Sequence, residues 1–578
     1  MSKLNVDQKT IFDLLSDKKS IFLIPDYQRP YAWNEEQCQT LWDDIFSFSF
    51  PNNNSEAFNE NEEYFLESIV TFKNGNGKSE VIDGQQRLTT LLLILRAFYD
   101  KFANMQDTKS KLTRDRIEKC IWQTDPYGTA IKNTLKIDSE VATDNDKVEF
   151  LELLRTGVVK TNSKSRYVRN YQFFQKKIDN FLQEFAGYFA DFPVRLLNNC
   201  ILLPIEAESQ DTALRIFSTL NDRGLPLSDA DIFKAQFYKY YGSLNQKEQF
   251  IDDWRKLEEL TKSIFQSISG APMDEIFSRY MYFLRAKENN KSTTTEALRK
   301  FYERNKYQYL TRPETIDDLK TLAQFWKSIS IQDKDRFSED IRKNLFVLNF
   351  APNGMWQNIT SVYFLQNKND EGLLDDDKFK NFLKKITAFI FAYAITNPGV
   401  NALRTPVYDE MMNIVNGSDI SFSKNKFNEF QTRTLFENYS FTNQRAITRS
   451  IITWYAFTFE NQQILDITES YELEHIYSRK RQEMEGGLQN EDALESLGNK
   501  ILLEESINIR ASDYHFEDKK KIYSGQLRRG KNKETSKIAE LQKIMSYNEF
   551  NESQILQRNQ EILDKFFDLL RSENLLMQ

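Results

Sequence analysis

"VIDGQQRLTTLLLIL", residues 81–95, sets an acid, a glycine, two amides and an arginine between a strand-like apolar pair and an almost wholly apolar run. If Val81 and Ile82 close a strand and Leu88 onward forms a buried helix, residues Asp83 to Arg87 are the strand-to-helix turn. Gly84 permits the tight backbone there. Burying an unpaired charge or amide is costly, so this polar knot needs a partner. Two partners are open. The free amides and positive dipole end of the first helical turn, the hydroxyls of Thr89 and Thr90 and the Arg87 guanidinium would together hold a phosphate. Equally, Asp83 would cap the helix and pair with Arg87, an inert arrangement.

Two further turns carry similar donors. In "IPDYQRPYAWNEEQCQTLWDDI", from Ile24, Gln28 and Arg29 lie between Pro25 and Pro30 ahead of Asn34, an expected N-cap with Gln37 at capping-box spacing. In "RIFSTLNDRGLPLSDADIFKAQF", from Arg215, Asn221 and Arg223 fall in a turn and Ser228 is an expected N-cap.

The chain has 578 residues, 40% hydrophobic and 13% aromatic, enough for large cores and roughly three or four domains. Residues 1–240 mix β-branched runs with helical stretches and read as α/β or α+β; "KNGNGKSE", from Lys73, suggests a hairpin. Residues 241–430 carry apolar side chains at three- and four-residue spacing, a helical spacer, and residues 431–578 form a third segment. The N-terminus lacks a signal-peptide pattern and apolar stretches such as "ITAFIFAYAI", from Ile386, are too short to span a bilayer. A cytoplasmic protein without membrane contact is expected. Three widely spaced cysteines argue against a disulfide framework or a cysteine zinc site. The net charge of −8 provides no global attraction for nucleic acid. A local basic run, "KKKIYSGQLRRGKNKETSK" from Lys519, sets eight Lys and Arg against one acid and reads equally as a DNA-facing surface or a solvated face.

The chain has two histidines, His475 and His515, both near the C-terminus. In "YELEHIYSRK" Glu474 precedes His475, and downstream come Asn499 in "SLGNKILLEESIN", Asn508, and Lys519 and Lys520. A phosphodiester-cleaving site needs a neutral imidazole to activate water, oxygen ligands for a hard cation and cations for the phosphate, and this segment contains each residue type. Adjacent Glu474 and His475 serve one site only if their strand ends or bends there. His515 reads as a surface or DNA-contact residue.

"IPDYQRPYAW", "VIDGQQRLTT" and "LNDRGLPLSDADIFK", in that order, resemble the N-terminal domain of the GmrSD family of modification-dependent restriction enzymes. The Glu474-His475, Gly498-Asn499, Asn508 and Lys519-Lys520 succession resembles the family's C-terminal HNH nuclease domain. The resemblance implies an α+β multidomain, mostly helical protein: a ParB/sulfiredoxin-like N-terminal domain, a helical middle and a ββα-metal HNH domain. It implies nucleoside triphosphate binding and hydrolysis at Gln28, Arg29, Asp83, Gly84, Gln85, Gln86, Arg87, Thr89, Asn221 and Arg223. It further implies His475 as general base, Asn499 as its orienter, Glu474 and Asn508 as ligands of a divalent metal, Mg2+ or Mn2+, and Lys519 or Lys520 on DNA phosphate. The expected activity is nucleotide-dependent cleavage of modified phage DNA in bacterial defence, by a possible homodimer acting on double-stranded DNA. The alternative is a non-cleaving, nucleotide-gated DNA-binding protein. Glu67 departs from the glycine often found in the corresponding strand, and "EHIYSRK" lacks the proline common after the histidine.

Overall fold

The computed structural model describes residues 5–577 apart from 142–143, 211, 214–215, 217–227, 267–268, 270, 291, 293–295, 400 and 527–532. Asn221 and Arg223 therefore lie outside the described residues. The chain forms two compact units, Met1–Arg255 and Lys256–Gln578. Small sheets stand among a majority of helices, an α+β arrangement.

In the first unit the strands are β1 (Asn5–Val6), β2 (Lys9–Thr10), β3 (Phe22–Ile24), β4 (Tyr64–Lys73), β5 (Ser79–Asp83), β6 (Trp122–Thr124), β7 (Ala130–Leu135), β8 (Ile137–Ser139) and β9 (Cys200–Ala207). One mixed sheet runs in the order β1-β9-β4-β5-β3-β8, with β2 also on β9, and β6 pairs with β7 separately. β4 and β5 are antiparallel across the 74–78 turn, the hairpin expected from "KNGNGKSE". β5 runs one residue past its expected end, through Asp83, and Gln85 to Arg87 already lie in the helix, so Gly84 alone separates the two. Val81 and Ile82 are buried, and the helix Gln85–Lys101 begins immediately after Gly84. Gly84 sits at φ +86°, and a Cβ there would lie 2.9 Å from Ile69 Cγ1 and 3.2 Å from the Ser68 carbonyl, so both conformation and space demand glycine. Leu88 and Leu91 to Leu95 are buried, which makes this helix the centre of the unit's core, packed against the helices Thr108–Ile121 and Arg166–Glu184. Asn34 caps the helix Glu35–Ser49 in a reciprocal box with Gln37.

The β4–β9 register slips by one residue between Phe65 and Ser68, and within this bulge Glu67 adopts φ +91°. An L-residue rarely adopts that conformation inside a strand.

In the second unit, residues 256–426 form helices joined by short turns and loops, wherever described. The C-terminal part adds an antiparallel pair, β10 (Tyr471–His475) and β11 (Lys500–Glu504). Its register sets His475 opposite Lys500 and Glu474 opposite Ile501. Helices Glu505–Ala511, Phe516–Tyr523 and Glu552–Ser572 surround this hairpin. No helix among the described residues is long and apolar enough to cross a membrane.

Candidate functional site

His475 is the last residue of β10, where the strand gives way to a loop that leads into the helix Arg479–Glu485. Asn499 builds that loop. Fully buried, it accepts the Tyr477 amide at 2.7 Å on Oδ1 and donates from Nδ2 to the carbonyls of Tyr477 at 3.0 Å and Leu494 at 3.1 Å. Its own carbonyl accepts the Ile476 amide at 3.0 Å. The glycine before it is a packing requirement: a Cβ on Gly498 would lie 1.9 Å from the Ile555 carbonyl, and Arg558 Nη1 donates to the carbonyls of Leu497 and Gly498.

Three residues not anticipated from the sequence hold the imidazole. Nε2 of His475 lies 3.3 Å from Glu495 Oε1 and 2.6 Å from Lys500 Nζ. Lys500 is fully buried and also donates to Glu495 Oε2 at 2.5 Å and Asn443 Oδ1 at 2.8 Å. Arg479 pairs with Glu495 from the more exposed side. Burial, with the nearby Lys500 and Arg479 cations, pushes the His475 pKa below its ordinary 6.5 against the opposing pull of Glu495. Burial alone would raise Glu495, but hydrogen bonds from His475, Lys500 and Arg479 outweigh it and hold its carboxyl well below the usual range. Burial pushes Lys500 down to about 8, with Glu495 opposing. The imidazole is thus neutral near neutral pH and braced at one nitrogen.

Strand alternation sends Glu474 to the other face of β10. There its Oε1 accepts from Lys519 Nζ at 2.6 Å and from Tyr523 OH at 3.0 Å, both side chains completely or almost completely buried. Burial raises the Glu474 pKa, with Lys519 and Tyr523 acting against it. Lys519 also donates to the His475 carbonyl at 2.6 Å. The ammonium expected on DNA phosphate is therefore enclosed within the protein, where it neutralises the carboxylate expected on a metal. Lys520 is engaged too, with Glu517 at 2.6 Å and the Tyr547 carbonyl at 3.0 Å. Asn508 lies on the helix Glu505–Ala511, which packs on β10, and its Oδ1 is buried without a hydrogen-bond partner among the described residues. No group of three or more His, Cys, Asp or Glu among the described residues has the arrangement of a cation site. With the Lys519 ammonium already beside Glu474, Glu474 and Asn508 do not make a seat for a divalent ion. His515 is largely exposed, 3.8 Å from Glu485.

In the first unit, most of the knot's polarity is met inside the protein. Gln28 Nε2 donates to the Ile82 carbonyl at 3.0 Å, Gln85 Nε2 to the Arg29 carbonyl at 3.2 Å and Gln86 Nε2 to the Pro30 carbonyl at 3.3 Å, while Gln86 Oε1 accepts the Ala32 amide at 2.7 Å. These bonds tie the 25–32 segment to the β5–helix junction. Thr89 is buried. Gln85 Oε1 is buried and has no hydrogen-bond partner among the described residues. Arg87 does not pair with Asp83: its Nη1 donates to the Ser68 carbonyl at 3.2 Å and its Nη2 meets the Glu67 carboxylate. Burial lowers the Arg87 pKa to about 10.

Asp83 accepts the Gly84 amide at 2.7 Å, and burial raises its pKa to about 6 against the influence of that amide and of Arg29. The folded pKa stands above the unfolded 3.8, so the native state holds this proton more tightly. Stability therefore falls as pH rises from about 4, and the loss levels off above about 6. Asp83→Asn is expected to stabilise the apo protein at pH 7 by roughly 1–3 kcal/mol and to flatten its stability between pH 4 and 6, read by thermal melts across that range.

The model of the GmrSD restriction endonuclease N-terminal domain matches residues 11–238, and that of the GmrSD restriction endonuclease C-terminal domain matches residues 423–565. The first match contains the knot, and the second contains both strands of the hairpin that carries His475. No curated protein matches the chain.

Proposed function

Because the chain belongs to the GmrSD restriction endonuclease family, and so acts on DNA as an endonuclease, we propose that it cleaves modified phage DNA in a nucleotide-dependent reaction, with His475 as general base. The observation that carries the catalytic assignment is the brace on His475. A base must be neutral before the reaction and must be held in one orientation during it. Burial and the neighbouring cations supply the first condition. The second comes from Glu495, which Lys500 and Arg479 fix on the Nε2 side of the ring. The ring takes the proton of the attacking water, and Glu495 stabilises the imidazolium that forms. The residues of β10 do not fit a resident cation, and no step is assigned to one.

The N-terminal reading is a nucleoside triphosphate whose phosphates approach the first turn of the helix Gln85–Lys101 and Arg87. The glutamines of the knot then act as the frame of that turn. Gln85 Oε1, buried and without a partner among the described residues, is an acceptor available to the nucleoside.

Glu495→Gln tests the catalytic assignment, because the amide keeps the shape and loses the charge. Single-turnover DNA cleavage is expected to fall by at least about tenfold with DNA affinity unchanged. Cleavage at the wild-type rate would remove the brace from the mechanism. A second reading, a non-cleaving, nucleotide-gated DNA-binding protein, is favoured by one feature, the capture of Glu474 by Lys519. It is distinguished by the absence of any nick in supercoiled or modified DNA.

A further inference from the structure

The bulge in β4 places an acidic side chain on the one cation of the knot. Glu67 holds φ +91° in a strand, a conformation that costs an L-residue on the order of 1–3 kcal/mol and persists only where the surroundings enforce it. Here the surroundings are the knot itself. The carbonyl of the next residue, Ser68, accepts from Arg87 Nη1 at 3.2 Å and lies against Gly84, while the Glu67 carboxylate meets Arg87 Nη2. The two partners differ in exposure. The Arg87 side chain is 15% exposed, whereas that of Glu67 is 53% exposed. A mostly buried guanidinium faced by a solvent-exposed carboxylate is an anion seat with a displaceable occupant.

We propose that Glu67 is a resident counter-ion of Arg87 which an incoming phosphate must displace, and that it thereby sets the affinity and selectivity of the knot for polyanions. The inference rests on the nucleotide reading of this turn. A phosphate and a carboxylate compete for the same donors, so a singly charged anion gains little over Glu67 while a triphosphate overcomes it. Like-charge repulsion from Glu67 also opposes any anion that binds without displacing it.

The test is calorimetric titration of the full chain and of Glu67→Gly, Glu67→Gln and Glu67→Gly/Arg87→Ala with sodium tripolyphosphate, ATP and GTP. Glu67→Gly and Glu67→Gln are each expected to bind tripolyphosphate and at least one nucleotide about tenfold or more tighter than wild type, and inorganic phosphate is expected to become a detectable ligand. The gain should vanish when Arg87 is also removed, because the coupling runs through that side chain. An apo melting temperature at or above wild type for Glu67→Gly confirms folding, since glycine suits the backbone there. Equal affinities in wild type and both single variants overturn the proposal and leave the nucleotide reading standing. Binding by the Glu67 variants alone upholds the proposal and removes nucleotide dependence from the wild-type activity. Failure of every protein to bind any of these anions overturns both.

Discussion

Replacing His475 with alanine is expected to lower DNA cleavage by roughly 10²- to 10⁴-fold, the usual contribution of a positioned general base. The effect should reside in the chemical step. The imidazole is mostly enclosed by Glu495, Lys500 and the strand end, so its loss leaves the DNA-facing surface essentially unchanged. Nucleotide binding, which is proposed for residues far away in sequence in the other compact unit, should be unaffected. Single-turnover cleavage alongside DNA and nucleotide affinities checks this. A loss of DNA affinity equal to the loss of rate would mean that His475 grips the substrate and does not activate water. Because the depressed pKa keeps the ring neutral below pH 6.5, the acid limb of the wild-type cleavage profile should lie below that value.

The second large effect concerns stability. Lys519→Met is expected to destabilise the protein by about 3–5 kcal/mol, because it leaves the Glu474 carboxylate buried without its cation. Tyr523 remains as one hydrogen-bond donor, which is insufficient for a buried charge. Adding Glu474→Gln to Lys519→Met should recover much of the loss, since it removes the stranded charge. Denaturant melts of the two single variants and the double variant measure it. A Lys519→Met protein that melts like wild type while its DNA binding becomes less salt-dependent would place Lys519 on phosphate after all.

Local features of this fold were legible in the sequence. The strand, glycine and helix at 81–101, the capping box of Asn34 with Gln37 and the hairpin after Lys73 each follow from interactions within a few residues. The partners of the site residues are not local. Glu67 reaches Arg87 only because a bulge in β4 turns it, and a bulge leaves no sign in composition. Lys500 stands opposite His475 through the register of a hairpin whose strands are separated by 24 residues, and that register is visible once the strands are paired. Lys519 offered a clearer signal. Phe516, Lys519 and Tyr523 recur at helical spacing of three and four, which sets Lys519 on the inward stripe of its helix and away from the solvent a DNA contact requires. In this basic run periodicity is more informative than charge.

The proposed activity is cleavage of modified DNA in the presence of nucleotide. Its most direct test is incubation of the purified wild-type protein with phage DNA carrying modified bases and with the same DNA unmodified, each with and without nucleoside triphosphate, resolved by gel. Cleavage of the modified DNA in the presence of nucleotide, and its loss in the other three reactions, is the expected result. Intact DNA in all four, or equal cleavage in all four, would contradict it.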